Sequence, residues 1–227
     1  MSEHEPRPHP LLPVLLDAAA GRFPRVDGGV DLLPPLPGRL AAVVSMTGHA
    51  FIATHRAAAA FTDLVPDGYG RSLLPAVLHR LAGDGGDVGV LDVTLVHPGR
   101  GGGAQLLRRR VDLDGHPRVQ HARALRRGVV VYADERAVLT LARGLAGRTE
   151  LSIEAFPGQS GARRSIDDAL GLVDAGTPVF AAVAPGNARS LRAFLAVGFT
   201  VLGSEVIIRP GAADTMLPGQ RVGGSGS

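Results

Sequence analysis

Apolar and polar positions along this chain follow two periods, and each change of period marks a boundary. Leu151, Ile153 and Ala155 alternate with Ser152 and Glu154, which predicts a strand over 149–156 with two distinct faces. Apolar runs at 129–133, 137–142, 178–184 and 205–209 predict further strands, and the segment 144–148 joins 137–142 to 149–156 as a long hairpin. Between these runs the spacing becomes helical. Residues 166–173 carry helix-period apolar positions and stop at Gly176. Residues 187–197 form a second helix: Asn187 can cap it, Leu191, Phe194 and Leu195 share its apolar face, and Gly198 suits the left-handed position after it. A third helix is expected over 117–127, with Pro117 in its first turn.

From Val129 onward the order is thus β-β-β-α-β-α-β. Strands and helices in that order imply an α/β chain built on a mixed, mostly antiparallel sheet flanked by helices. The first half is less regular. Residues 1–38 hold eight prolines and read as a frayed arm with one short helix near 15–20. Residues 40–46 and 50–54 flank Thr47-Gly48-His49 as a β-hairpin, 73–81 are helical up to Gly83, 88–96 form a strand, and 97–103 form a glycine-rich loop. The organisation expected is an N-terminal arm with a hairpin and helix over 1–84, an α/β unit over 85–210, and a flexible tail over 211–227 that ends in VGGSGS.

Composition changes this picture in three ways. The 227 residues are 45% hydrophobic but only 4% aromatic, with no Trp, so the core must be built from Ala, Val and Leu. Cysteine is absent, which excludes disulfides and thiolate metal sites and points to a reducing, cytoplasmic setting. No 18-residue apolar run occurs and the N-terminus lacks the order of a secretory signal, so no membrane association is expected. Every basic side chain is Arg, so the high isoelectric point accompanies a formal charge of only +3. The basic runs 108–110 and 126–127 are short and lack stacking aromatics, which argues against a nucleic-acid partner. The eight His residues show no metal-ligand spacing.

Three features carry candidate chemistry. The small-residue turn 157–163 follows a strand and opens a helix, which presents free backbone N–H groups to an anion such as a pyrophosphate. Glu154 lies on the polar face of its strand, where a carboxylate can serve as a general base. Glu150 is the second candidate for that role, with Tyr132 and His121 in reserve. The segment 179–210, VFAAVAPGNARSLRAFLAVGFTVLGSEVIIRP, reads as strand, turn, helix, Gly-Phe stop and strand. A second glycine-rich run, Arg100 to Ala104, also follows a strand, but no helix pattern follows it and it reads as a mobile loop.

The segment 179–210 resembles the C-terminal acyl-CoA-binding half of the GNAT superfamily of N-acetyltransferases, through Asn187, Ser190 and Gly198-Phe199. The likeness is specific over 149–210 and leaves 1–84 uncovered as an N-terminal extension. It implies acetyl-CoA as cofactor and direct transfer of an acetyl group to a small-molecule or peptide amine. It further implies a cofactor site of Ala155, Phe156, Gln159, Ser160, Gly161, Ala162, Arg163, Asn187, Ser190 and Phe194, with Glu154 as base. Two departures stand out. The family's loop pattern, Gln/Arg-x-x-Gly-x-Gly/Ala, falls on Pro157, Ser160 and Ala162, of which only Ala162 fits strictly. Phe194 also replaces a Tyr that protonates the departing thiolate in many members, so a fold that binds acyl-CoA without turnover is the alternative. A homodimer through the last strand, 205–209, is a further expectation.

Overall fold

The alternation at 149–156 is realised as a strand in the middle of a large sheet. The computed structural model describes residues 8–159 and 161–212. In chain order they form α1 (Leu11–Ala19), β1 (Val30–Leu33), β2 (Ala41–Met46), β3 (His49–Ala53), α2 (Pro75–Ala82), β4 (Asp87–Val88), β5 (Asp92–Pro98) and β6 (Arg108–Arg109). There follow α3 (Pro117–Leu125), β7 (Arg127–Ala133), β8 (Ala137–Arg143), β9 (Thr149–Ala155), α4 (Ala162–Leu170), β10 (Pro178–Val183), α5 (Ala188–Val197) and β11 (Thr200–Arg209).

The strands join in one 11-stranded sheet of order β1-β3-β2-β11-β5-β10-β9-β8-β7-β6, with β4 also on β11. Neighbours are antiparallel except for β1 with β3 and β9 with β10. The fold class is the one expected: a mixed, mostly antiparallel sheet with helices on both faces. The hairpin of β2 and β3 pairs with β11, so 8–84 and 85–210 share this sheet. Strand β11 has a neighbour on each edge, β2 on one and β5 with β4 on the other.

Side-chain alternation divides the core. Leu95, Leu139, Leu151, Ile153, Val179 and Ala181 point to one face and pack with Ile166 and Leu170 of α4 and Phe194 of α5. Ala42, Val44, Val96 and Phe180 point to the other face, where Leu11 and Leu15 of α1 cover them. Val119 of α3 packs on Val131 and Val138 farther along. The polar face of β9 therefore looks toward α3.

Several boundaries differ from the sequence reading, each for a local reason. Helix α1 begins at Leu11 rather than near residue 15, because Pro13 sits in the first turn, where its missing N–H has no acceptor to lose. The arm also supplies β1, an edge strand on β3. Thr47 and Gly48 have φ of 46° and 77°, the left-handed pair that a two-residue hairpin turn requires. The strand expected over 88–96 is broken after β4, where Gly89 donates to the Ile207 carbonyl, and resumes as β5. Strand β11 starts five residues before the segment expected, since a bulge between Val201 and Gly203 absorbs its irregular register. Leu195 is 42% exposed, so the apolar face of α5 is carried by Phe194 with Leu191 partly buried, not by Leu195.

The second glycine-rich run is tied to the end of α4 by backbone hydrogen bonds. The amides of Arg100, Gly101 and Gly103 donate to the carbonyls of Leu170, Val173 and Gly171, so the loop satisfies the C-terminal end of α4. Those three amides are therefore unavailable to a phosphate. The Asp168 carboxylate accepts from the amides of Gln105, Leu106 and Leu107 at 2.7–2.9 Å and fixes the rest of the loop. Gly171 lies so close that a Cβ there would stand 2.2 Å from the Gly103 carbonyl oxygen, although its own φ of −67° suits any residue. Gly171→Ala is expected to cost about 1–3 kcal/mol by steric displacement, read as a lower urea midpoint. Gly115→Ala, with open space around it, serves as control; equal midpoints for the two variants would refute this packing.

Candidate active site

The site begins where β9 and β10 part. They are parallel neighbours, but their register contains a single pair, Phe180 with Glu150, near the start of both strands. The outer edges pair with β8 and β5, whereas the inner edges of 151–155 and 181–183 diverge. Backbone groups on diverging edges lack ladder partners and must find water or a ligand. The divergence opens at the carboxyl ends of two parallel strands, where ligands of open α/β sheets bind. A cleft of about 730 Å³ occupies this place, bounded by α3, β9, β10, the start of α5, and β11.

A buried ion cluster pins the closed end. Arg148 is fully buried, and its Nη1 and Nη2 donate to the two carboxylate oxygens of Glu205 at 2.7 and 2.6 Å. Its Nε and Nη2 donate to Glu150 at 3.1 Å. Arg126 Nε donates to the other Glu150 oxygen at 2.7 Å, and Thr94 donates to Glu205 at 2.6 Å. Arg148 also lies over the Phe180 ring, 5.0 Å from its centroid. Burial works against charge on every member. Glu205 and Glu150 outweigh it for Arg148, whose pKa is raised; Arg148 and Arg126 outweigh it for Glu150, whose pKa is lowered. Glu150 is thus a structural anion held at the one place where β9 and β10 pair, which withdraws it as second candidate for the base.

Glu154 stands farther along the same face, half-exposed, and accepts from Arg118 Nε at 3.3 Å. Between the two, Ser152 shares a 2.7 Å hydrogen bond with Thr140. His121 lines the cleft from α3, and its pKa is lowered by burial and by the charges of Arg126, Arg118 and Arg209. Tyr132 packs on the opposite face of the sheet with the α4 side, away from the cleft.

The residue that sequence reading missed is Asp92. It lies on β5 directly opposite Glu205 and lines the cleft, and its carboxylate has no hydrogen-bond partner among the described residues. Burial first, then the charges of Glu205 and Glu150, push its pKa up to about 6 against the pull of Arg126 and Arg148. It opens a strand after Val90-Leu91, and only the cross-strand register that brings Glu205 beside it makes it unusual. A strand-order prediction placing β5 against β11 was the missing signal.

The expected cofactor residues gather around the open end, with exceptions. Asn187, Ser190 and Phe194 line the cleft. The Asn187 side chain accepts from the Ser190 amide at 3.1 Å and caps α5. Phe194 is 2% exposed and meets Phe199 edge-on at 4.9 Å. It has no proton to give. Helix α4 starts at Ala162, four residues before the sequence reading, with Gly161 at φ 91° before it. Arg164 donates to the Gly161 carbonyl, so the amides of Ala162 and Arg163 precede the first intrahelical bond and have no acceptor among the described residues. Arg189 of α5 donates to the Gln159 carbonyl at 2.8 Å and ties the two helix starts together. Ala155 ends β9 at the mouth. Phe156 differs: its amide donates to the Arg136 carbonyl at 2.8 Å and its ring packs with the Val119 cluster, so it has no donor to offer a cofactor. Ser160 lies outside the described residues.

Among the described residues no group of three His, Asp or Glu side chains is placed to hold a metal ion, and no helix is long and apolar enough to cross a membrane. No protein-family model matches the chain, and no curated protein matches it. Solved structures show some similarity. One is a protein from Novosphingobium aromaticivorans DSM 12444 assigned to the GNAT family of acetyltransferases, at TM-score 0.42 and 15% identity over 57% of this chain and 69% of that one. Another is a conserved protein of unknown function from Staphylococcus epidermidis ATCC 12228, at TM-score 0.36 and 12% identity over 61% of this chain and 68% of that one.

Proposed function

We propose that this protein transfers an acetyl group from acetyl-CoA to a primary amine. The observation that carries the reading is the divergence of β9 and β10 beyond Phe180 and Glu150, flanked by two helix starts at Ala162 and Ala188. An extended amide-bearing arm can pair with the freed strand edges as an added strand would. The amides at the start of α4, with Arg163 beside them, suit a pyrophosphate. Asn187 and Ser190 stand where the arm would enter, as in the family that the segment 179–210 resembles.

On this reading the amine attacks the thioester carbonyl. A C–N bond forms, the C–S bond breaks, and the proton of the amine passes to a carboxylate. A base works best with a pKa near the working pH. Asp92, at about 6 and without a partner, suits this better than Glu154, which faces Arg118. Phe194 leaves the thiolate to depart without a proton from the protein, and solvent protonates it. The same phenylalanine favours the second reading, an acyl-CoA-binding protein without turnover. Thiol release across a panel of amines separates the two: acetyl-CoA binding with no thiol released by any amine would leave only the second.

Asn187→Ala is expected to remove about 1 kcal/mol from the cap of α5 and to weaken acetyl-CoA binding by more than that loss explains. Calorimetry on the folded variant checks this. Unchanged affinity would remove Asn187 from the cofactor site.

A further inference from the structure

A second cavity of about 470 Å³ adjoins the cleft and shares Leu125, Arg126 and Arg209 with it. Its charged lining is Arg39, Arg123, Arg126, Arg127 and Arg209, with no Asp or Glu. Three of these guanidiniums pair with carboxylates outside the lining: Arg123 with Asp114, Arg126 with Glu150 and Arg209 with Asp87.

Three observations show that this cavity is not ordinary surface. Arg126 is nine-tenths buried, and while its Nε serves Glu150, its Nη1 is buried with no hydrogen-bond partner. An unmet donor on a buried charge is costly. Arg39 has φ of 61° and follows Gly38 at 74°, so a non-glycine residue is held in the left-handed region at the rim. Arg127 stands directly across from Arg143 on β8, a like-charge cross-strand pair that disfavours the sheet unless a counter-charge is near. Neither Arg39 nor Arg127 has a carboxylate partner among the described residues. His121, on the cleft side, already feels Arg126 and Arg209 as positive neighbours.

Beside it, the cleft offers the opposite chemistry. Asp92 presents a free carboxylate, and Glu154 stands on the same face. We infer that the acceptor is an amine bearing a phosphate: its ammonium meets Asp92 in the cleft, and its phosphate sits among Arg39, Arg126, Arg127 and Arg209 in the adjoining cavity. The guanidinium fork suits phosphate oxygens in pairs. That the amine is then acetylated rests on the function proposed above; that the ligand binds in this orientation does not.

The test uses ω-aminoalkyl phosphates of increasing chain length, each paired with its amino alcohol, titrated into the full chain by calorimetry. The expected result is that at least one phosphate binds about tenfold or more tighter than its alcohol. Arg39→Glu/Arg127→Glu should abolish that advantage and leave acetyl-CoA affinity unchanged. Both side chains are exposed, and Arg39→Gln/Arg127→Gln, which removes the charges without reversing them, provides a milder version should the first pair not fold. Phosphates that bind no tighter than their alcohols would overturn the inference. So would an advantage that survives both double variants, which would put the phosphate elsewhere, such as the start of α4. Absence of acetyl-CoA binding speaks against the proposed reaction and leaves this outcome readable.

Discussion

Arg148→Met is expected to lower folding stability by about 3–5 kcal/mol, the cost of leaving buried carboxylates without their counter-charge. Glu205 loses both of its bonds to the guanidinium, and Glu150 keeps only Arg126 and a long contact from the Leu145 amide. Both carboxylates are nearly inaccessible to solvent, so water cannot replace the missing donor. The loss should also reach the cleft, because Glu150 sits at the single register pair that joins β9 to β10. Urea denaturation measures the first effect, and acetyl-CoA affinity of the folded fraction measures the second. A variant within about 1 kcal/mol of the parent would show that the cluster does not hold the sheet together at this point.

Asp92→Asn carries the second large effect, and it has two signs. A carboxylate whose folded pKa is raised to about 6 binds its proton more tightly in the folded state than in the unfolded one. That interaction favours folding in acid, below the unfolded pKa, and is lost as the pH rises through about 6. At neutral pH the ionised Asp92 therefore burdens the fold, facing Glu205 across the ladder. Asp92→Asn should melt higher than the parent at pH 7 and should no longer lose stability between about 4 and 6. Turnover should move the other way and fall about 10²-fold or more, as loss of a general base does, with acetyl-CoA affinity kept. The parent rate should fall as the pH drops below about 6, while the residual rate of the variant should lack that limb. Full turnover in Asp92→Asn would return the role to Glu154, and Glu154→Gln then becomes the informative variant.

The fold was legible from Val129 onward because its elements are local. Alternation in β9 and the Asn187 and Gly198 ends of α5 are written within a few residues. What was illegible depends on distant pairing. Residues 30–33 become a strand only because β3 offers an edge. Glu205 is an unremarkable strand residue until Arg148, 57 positions away, reaches it. The two arginines of the short basic run at 126–127 part company: Arg126 turns inward to Glu150 while Arg127 stays exposed. The same limit hid the site. Glu154 is legible because alternation puts it on the polar face of β9, whereas the character of Asp92 comes from the strand beside it. The glycine run at 101–103 shows the converse: its glycines are needed for left-handed turns at φ of 69°, 86° and 81°, not for a phosphate.

Everything proposed about chemistry depends on the gap between β9 and β10 receiving an acyl-CoA. Calorimetric titration of the full chain with acetyl-CoA tests this most directly. The account predicts saturable one-to-one binding, weakened in Asn187→Ala and retained in Asp92→Asn. No detectable heat at roughly millimolar acetyl-CoA, a ceiling of about 4 kcal/mol in binding free energy, would contradict it.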